Sequence, residues 1–220
     1  MDIPETAERF VAFFDIMGFK DLVYRNDHKE VQKIMARVCK TVASLEKFRG
    51  DVLKNIAPPI MFSDSIIFVS HGNTPEDADD LLLTATYLLC EMLVARVPIK
   101  GALAYGLFTA DFEKSSFFGR PLVDACLLAE EMHFYGAILH HSVEPHLPPH
   151  KEKSDNIALT LRAPVPMKGG PVTHSYADWR HFMKDGQTQE SVLEPFYSTV
   201  SGSTRRYVDN TIGVYTPVKK

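Results

Sequence analysis

The chain has 220 residues, 45% of them hydrophobic and 24% charged, with a formal net charge of −4. That is enough apolar material for one good-sized core, and the interspersed charges leave no basic stripe, so direct nucleic-acid binding is not expected. The longest apolar run, residues 81–93, carries Thr84, Thr86 and Glu91 and is too short and mixed to span a bilayer, and Met1-Asp2-Ile3-Pro4-Glu5 does not read as a signal sequence. A cytoplasmic location without membrane contact is therefore expected. Cys39, Cys90 and Cys126 lie in apolar or helical patterns without metal-ligand spacing and read as reduced core residues.

In chain order, an apolar run from Phe10 to Phe14 ends on Asp15, and Gly18 follows three residues later. This reads as a buried strand over residues 9–15 that delivers a carboxylate to its carboxyl end and then turns tightly into a helix N-terminus. Such a turn sets a metal-binding carboxylate beside backbone N–H groups able to hold phosphate oxygens. Val31, Ile34, Met35, Val38, Val42 and Leu45 then recur at helical spacing, and Gly50 is expected to end that helix. Residues 55–62 and 66–71 read as a hairpin through Ser63-Asp64. Thr74 can cap the next helix, with Pro75 at its first position and Asp77 two residues further in. That helix should run to about residue 96, and it is apolar on most sides, so it should pack against the sheet and something else.

A strand follows over residues 99–108, a turn at 111–114, a short strand at 115–118, a helix from Gly119-Arg120-Pro121 through residue 133, and a last short core strand at 137–140. The order is β-α-β-β-α-β-β-α-β, and its first six elements match the ferredoxin-like plan of an α+β fold. Beyond Val143 the composition changes, broken by Pro145, Pro148, Pro149, Pro164, Pro166 and Pro171. A strand is expected at residues 157–161 and helical segments near 176–183 and 203–215.

No Walker A loop, G-x-G-x-x-G or G-x-S-x-G is present. His140-His141 and His146-x-x-x-His150 are the closest histidine clusters, but Pro148-Pro149 breaks the helix the second pair would need, and surface or loop histidines are the expectation. Asp15 and Asp64 are the sharper case, because both sit in very apolar sequence where a lone buried carboxylate is unfavourable without a cation. Carboxylates on neighbouring strands can hold divalent metal against a triphosphate. Polar residues at a strand end and a turn are the plainer reading. The pattern by itself leaves the two open.

Phe14-Asp15-Ile16-Met17-Gly18-Phe19 resembles the F-x-D-I-x-G-F opening of class III nucleotidyl cyclase domains, with Lys20 where Thr is usual. Phe62-Ser63-Asp64-Ser65 is similar to the hairpin of the second metal aspartate, where the family has Gly-Asp. Lys100-Gly101-Ala102-Leu103-Ala104-Tyr105-Gly106 resembles the strand R-x-G-I-H-x-G, and Phe118-Gly119-Arg120-Pro121-Leu122-Val123-Asp124-Ala125 resembles the later G-x-x-V-N-x-A segment. The resemblance implies a ferredoxin-like cyclase core, a mixed sheet with helices packed on it. It would occupy residues 1–162, with a C-terminal extension over 163–220 packed on the same domain. It also implies a homodimer with sites at the interface. Asp15, the Ile16 carbonyl and Asp64 would hold two Mg²⁺ or Mn²⁺ ions. The N–H groups of Met17, Gly18 and Phe19 would cradle phosphate, and Lys100 would neutralise charge there.

Departures from the family narrow the substrate. The transition-state Asn falls at Val123, or at Asp124 if the register slips by one, and the Arg one turn on falls at Leu127. The adenine-reading Lys falls at Ile60 and its Asp partner at Ser116, with Phe117 and Phe118 flanking. This combination is most similar to the pyrimidine cyclases of bacterial Pycsar anti-phage systems, whose effectors are reached through the diffusible cyclic nucleotide. The resemblance favours UTP as substrate and cyclic UMP as product. The alternatives are a cytidylate cyclase and a degenerate module that binds nucleotide without turnover. Arg120, Lys168, Arg205 and Arg206 are all open as stabilisers of the leaving group. A diguanylate cyclase is excluded because no G-G-[DE]-E-F occurs.

Overall fold

A computed structural model describes residues 4–52, 55–147 and 159–216, apart from the side chains of residues 46–52. Strand β1 (Thr6–Ile16) is its spine, buried continuously from Arg9 to Phe14. The run is uninterruptedly apolar after Arg9 because both faces of the strand are covered. Helices α1 (Phe19–Arg25) and α2 (His28–Val52) follow. They are separate because Asp27 caps the second, its carboxylate accepting from Glu30 N–H at 3.0 Å. Gly50 lies inside α2 and does not end it. Strands β2 (Ile60–Phe62) and β3 (Ser65–Val69) form the expected hairpin. Helix α3 (Pro75–Val94) opens on the Thr74–Asp77 capping box. Then come β4 (Ile99–Asp111), β5 (Ser116–Gly119), α4 (Arg120–Glu131) and β6 (Ala137–Leu139).

The sheet runs β2-β3-β1-β4-β6, with β5 paired to the far end of β4. The first four strands are mutually antiparallel, which is the ferredoxin-like arrangement, and β4 pairs with β6 in parallel. On one face, α2 and α3 bury Phe10, Phe14, Phe68 and Leu103. On the other, α4 lies on Phe13, Ala102 and Ala104 through its own Ala125 and Ala129. Gly101 is required where β4 passes β1, because a Cβ there would meet Phe14 Cδ1 at 2.4 Å and the Phe13 carbonyl at 2.5 Å.

The C-terminal region departs most from expectation. Strands β7 (Thr160–Met167) and β8 (Gly170–Ala177) form a hairpin that continues the same sheet beyond β6. Pro164 and Pro166 are tolerated because β7 is the sheet's edge. Residues 176 and 177, read as helical, complete β8, and only a single 3₁₀ turn, Trp179–Phe182, follows. Helices α5 (Gln189–Leu193) and α6 (Arg205–Tyr215) end the described chain. The outer face of α3 is covered by this tail: Tyr87 meets Phe182 edge-on at 5.3 Å, and Trp179, Val192 and Leu193 join the same core. Cys90 is buried as expected, but Cys39 is exposed. Among the described residues no helix is long and apolar enough to cross a membrane. Pro148, Pro149, His150 and residues 157–158 of the expected strand lie outside the description.

Candidate active site

Asp15 stands at the carboxyl end of β1, opposite Ser65 on β3 and opposite Lys100 on β4. Ser63 adopts φ 57°, making the β2–β3 turn tight, and Ile16 N–H donates to the Asp64 carbonyl at 2.9 Å. Backbone bonding thus fastens the hairpin tip to the end of β1 and brings the Asp15 and Asp64 carboxylates into electrostatic contact. Burial pushes the Asp15 carboxyl above its ordinary range. Lys100 pulls it back, while Asp64 and Glu130 push it further up. A half-buried carboxylate facing another is stabilised by a cation between them, and hard divalent ions take such all-oxygen donors. Among the described residues no group of three or more His, Cys, Asp or Glu side chains is arranged to hold a metal. A divalent ion at Asp15 and Asp64 would complete its shell with main-chain, solvent or phosphate oxygens, as Mg²⁺ usually does.

Gly18 caps α1 with φ 76°, a left-handed conformation that suits glycine. Met17 N–H donates to the Pro98 carbonyl at 2.8 Å, so it is already committed and leaves the expected phosphate-binding trio. Phe19 begins α1, and its N–H has no acceptor within the helix. Lys100 is buried, and its ammonium donates to the Glu130 carbonyl at 3.4 Å and lies 5.9 Å from the Tyr207 ring centre. Burial lowers its pKa and Asp15 opposes that shift, while the nearby Lys168 lowers it further.

The four basic residues left open by sequence now separate. Arg120 pairs with Asp124 at 3.3 Å on the surface of α4. Arg205 pairs with Asp209 at 3.7 Å and lies over Tyr197. Lys168 and Arg206 instead lie near His133, whose imidazole pKa is lowered by burial and then by Arg206, Lys100 and Lys168. Lys168 also reaches Glu131 at 3.5 Å. Tyr207 and the Glu130 carbonyl are additions to the site, and nothing in local sequence signals either.

The two base-reading positions do not share a face. Ile60 and Phe117 both pack against the patch of Val11, Val69, Phe108 and Ala110. Ser116 is paired with Asp111, and alternation turns it to the other side of the sheet. Phe118, paired with Thr109, turns the same way as Ser116 and is 60% exposed. On α4, Val123 and Leu127 are 55% and 56% exposed and one turn apart.

This architecture is the fold of class III nucleotidyl cyclase catalytic domains. The catalytic core of a rhodopsin-guanylyl cyclase with converted specificity, solved with ATPalphaS, superposes with TM-score 0.58 at 16% identity, covering 79% of this chain and 97% of that one. A guanylate cyclase domain from Catenaria anguillulae in complex with GTP gives TM-score 0.56 at 14% identity, covering 78% and 96%. The adenylyl cyclase CyaB from P. aeruginosa gives 0.54 at 14%, covering 83% and 98%. No family model and no curated protein matches the sequence.

Proposed function

We propose that the chain is a divalent-cation-dependent nucleotidyl cyclase that converts UTP to 3′,5′-cyclic UMP and pyrophosphate. The observation that carries this reading is the convergence of Asp15, Asp64 and Lys100 at one end of a cyclase-type sheet. Asp15, Asp64 and the Ile16 carbonyl would hold two Mg²⁺ or Mn²⁺ ions. When bound, such ions acidify the ribose 3′-OH and neutralise the triphosphate. Gly18 and Phe19 N–H groups orient phosphate oxygens, and Lys100 meets their charge as a compact ammonium rather than a fork. The 3′-oxygen attacks the α-phosphorus in line, and pyrophosphate carries away the displaced electron pair.

The lack of a charged base reader supports a pyrimidine substrate. Ile60 and Phe117 offer apolar walls on one face, and Ser116 does not join them. UTP is favoured over CTP by resemblance alone. So is a role as a cytoplasmic source of a diffusible anti-phage signal. A homodimer is supported by the exposed apolar side chains Phe62, Val123 and Leu127, not by α3, whose apolar surface the chain's own tail covers.

A second reading is a cyclase-fold module that binds nucleotide without turnover. It is favoured by Val123 and Leu127, apolar where the resemblance places the family's transition-state Asn and Arg, with Asp124 taking the Asn place only if the register slips by one. One assay separates the two: ATP, GTP, CTP and UTP are offered singly with Mn²⁺ or Mg²⁺, and products are identified by mass spectrometry. Cyclic UMP as the main product supports the proposal, and cyclic CMP corrects only the base. Cyclic AMP or GMP overturns the base argument, and binding without product favours the second reading. Sedimentation at micromolar concentration tests the dimer, which a fully active dilute monomer would refute.

A further inference from the structure

Lys100 is a buried cation whose direct contacts are the Glu130 main-chain carbonyl at 3.4 Å and the face of Tyr207 at 5.9 Å, with the Asp15, Glu130 and Glu131 carboxylates near enough to act on it without pairing. Tyr207 is itself held firmly. Its ring stacks on Tyr135 with centroids 5.9 Å apart and planes 18° apart, and it meets His133 edge-on at 5.5 Å. Tyr135 rests in turn on Phe196 at 5.4 Å. Helix α6 is pinned beside this stack, with Asn210 Nδ2 donating to the His133 carbonyl at 2.8 Å and Tyr135 N–H donating to Thr211 Oγ1 at 2.9 Å. An aromatic face attracts an ammonium without cancelling its charge, whereas a carboxylate in the same spot would neutralise it. The Tyr207 ring thus holds the Lys100 side chain without taking the place of an anion, and the charged groups around it are Asp15, Glu130 and Glu131 of opposite sign and Lys168 of the same sign.

We propose that Tyr207 is a positioning residue, whose ring holds the Lys100 ammonium toward the phosphate chain of the nucleotide and so makes the C-terminal helix part of the site. This rests on reading the Asp15–Lys100 end of the sheet as a nucleotide site. The test is a double-mutant cycle on the full chain, read first as affinity for tripolyphosphate with Mn²⁺ by calorimetry. Tyr207→Phe keeps the ring and should hold affinity within about twofold, while Tyr207→Leu should weaken it about three- to thirtyfold. In a Lys100→Met background Tyr207→Leu should change nothing further, because its effect passes through Lys100. With nucleoside triphosphate, Tyr207→Leu should raise KM more than it lowers kcat. Reductive methylation of the lysines gives a direct signature: the Lys100 methyl signal should carry a ring-current shift that Phe preserves and Leu removes. Tyr207→Met serves if the Leu variant does not fold. Additive losses in the cycle, a Phe variant as weak as Leu, or an unmoved Lys100 signal would overturn the inference. A wild-type protein that binds tripolyphosphate but makes no cyclic product overturns the cyclase reading alone. One that does not bind it overturns both.

Discussion

Asp15 and Lys100 stand directly opposite each other across the β1–β4 ladder and share one face of the sheet, yet among the described residues they form no ion pair. Each is pushed toward its neutral form by burial, and each is partly restored by the other. Asp15 is therefore left short of positive charge, and Lys100 remains available to an anion. A pair that closed on itself would bind neither metal nor phosphate.

Replacing Asp15 or Asp64 with Ala should remove cyclic product, lowering the rate about a thousandfold or more, since losing a charge-stabilising metal costs several kcal/mol of barrier. Circular dichroism should show an intact fold, because neither side chain is part of the apolar core. Cyclic product at the wild-type rate from either variant would show that the two aspartates do not hold the metal.

The raised Asp15 carboxyl also has a stability consequence. Its pKa lies above the ordinary 3.8 in the folded state, so the unfolded chain releases this proton first as pH rises. Its contribution is neutral below 3.8 and turns progressively against folding as pH climbs through the folded value. Asp15→Asn should therefore match the wild type in acid and become the more stable protein toward neutral pH when divalent ions are chelated. Adding Mn²⁺ should reverse that order. Equal denaturant midpoints for the two proteins across the whole range would contradict the electrostatic account.

Val123 and Leu127 give a test of what limits turnover. Both are more than half exposed in the single chain, so Val123→Asn with Leu127→Arg should alter its own unfolding free energy by about 0.5 kcal/mol or less, and sedimentation shows whether the proposed dimer survives the change. If the wild-type site is short of leaving-group stabilisation, the double variant should raise kcat about tenfold or more. An unchanged kcat would mean that other groups already supply it, with Lys168 and Arg206, both close to His133, the first to replace.

Trp179 tests the tail. It is fully buried and meets Tyr215 edge-on at 5.7 Å, so Trp179→Ala should cost about 3–5 kcal/mol of stability. Trp179→Phe should lose much less, because it also removes a buried indole N–H that has no acceptor among the described residues. Chemical denaturation of the two variants gives the comparison, and similar losses would contradict both the packing argument and the account of the indole N–H as unpaired.

The core of the fold is legible in the sequence because its signals are local. The apolar run into Asp15, the Ser63-Asp64 interruption and the Thr74–Asp77 box each act within a few residues, and the structure has all three. The base-reading pair fails because the resemblance to the family places Ser116 without regard to strand parity. The pairing of Phe117 with Ala110 fixes which side chain faces Ile60. The β7–β8 hairpin is hidden by Pro164 and Pro166, which argue against a strand unless one knows that β7 lies at an edge, and by Pro171, which falls beyond the short stretch where β8 pairs with β6. Tyr207 is illegible for another reason: its link to Lys100 spans nearly half the chain, and no local pattern encodes such a contact.

The packing of the tail on α3 has a consequence for handling the protein. Leu82, Leu88, Leu89 and Leu93 belong to a helix apolar on more sides than the sheet can cover, and the chain from Trp179 onward joins their core. A protease cut near residue 178, or a chain shortened to that point to isolate the sheet and its helices, would keep both aspartates and Lys100 and yet bare a leucine-rich surface. Such a fragment would self-associate and precipitate, so the last segment works as the molecule's own solubiliser.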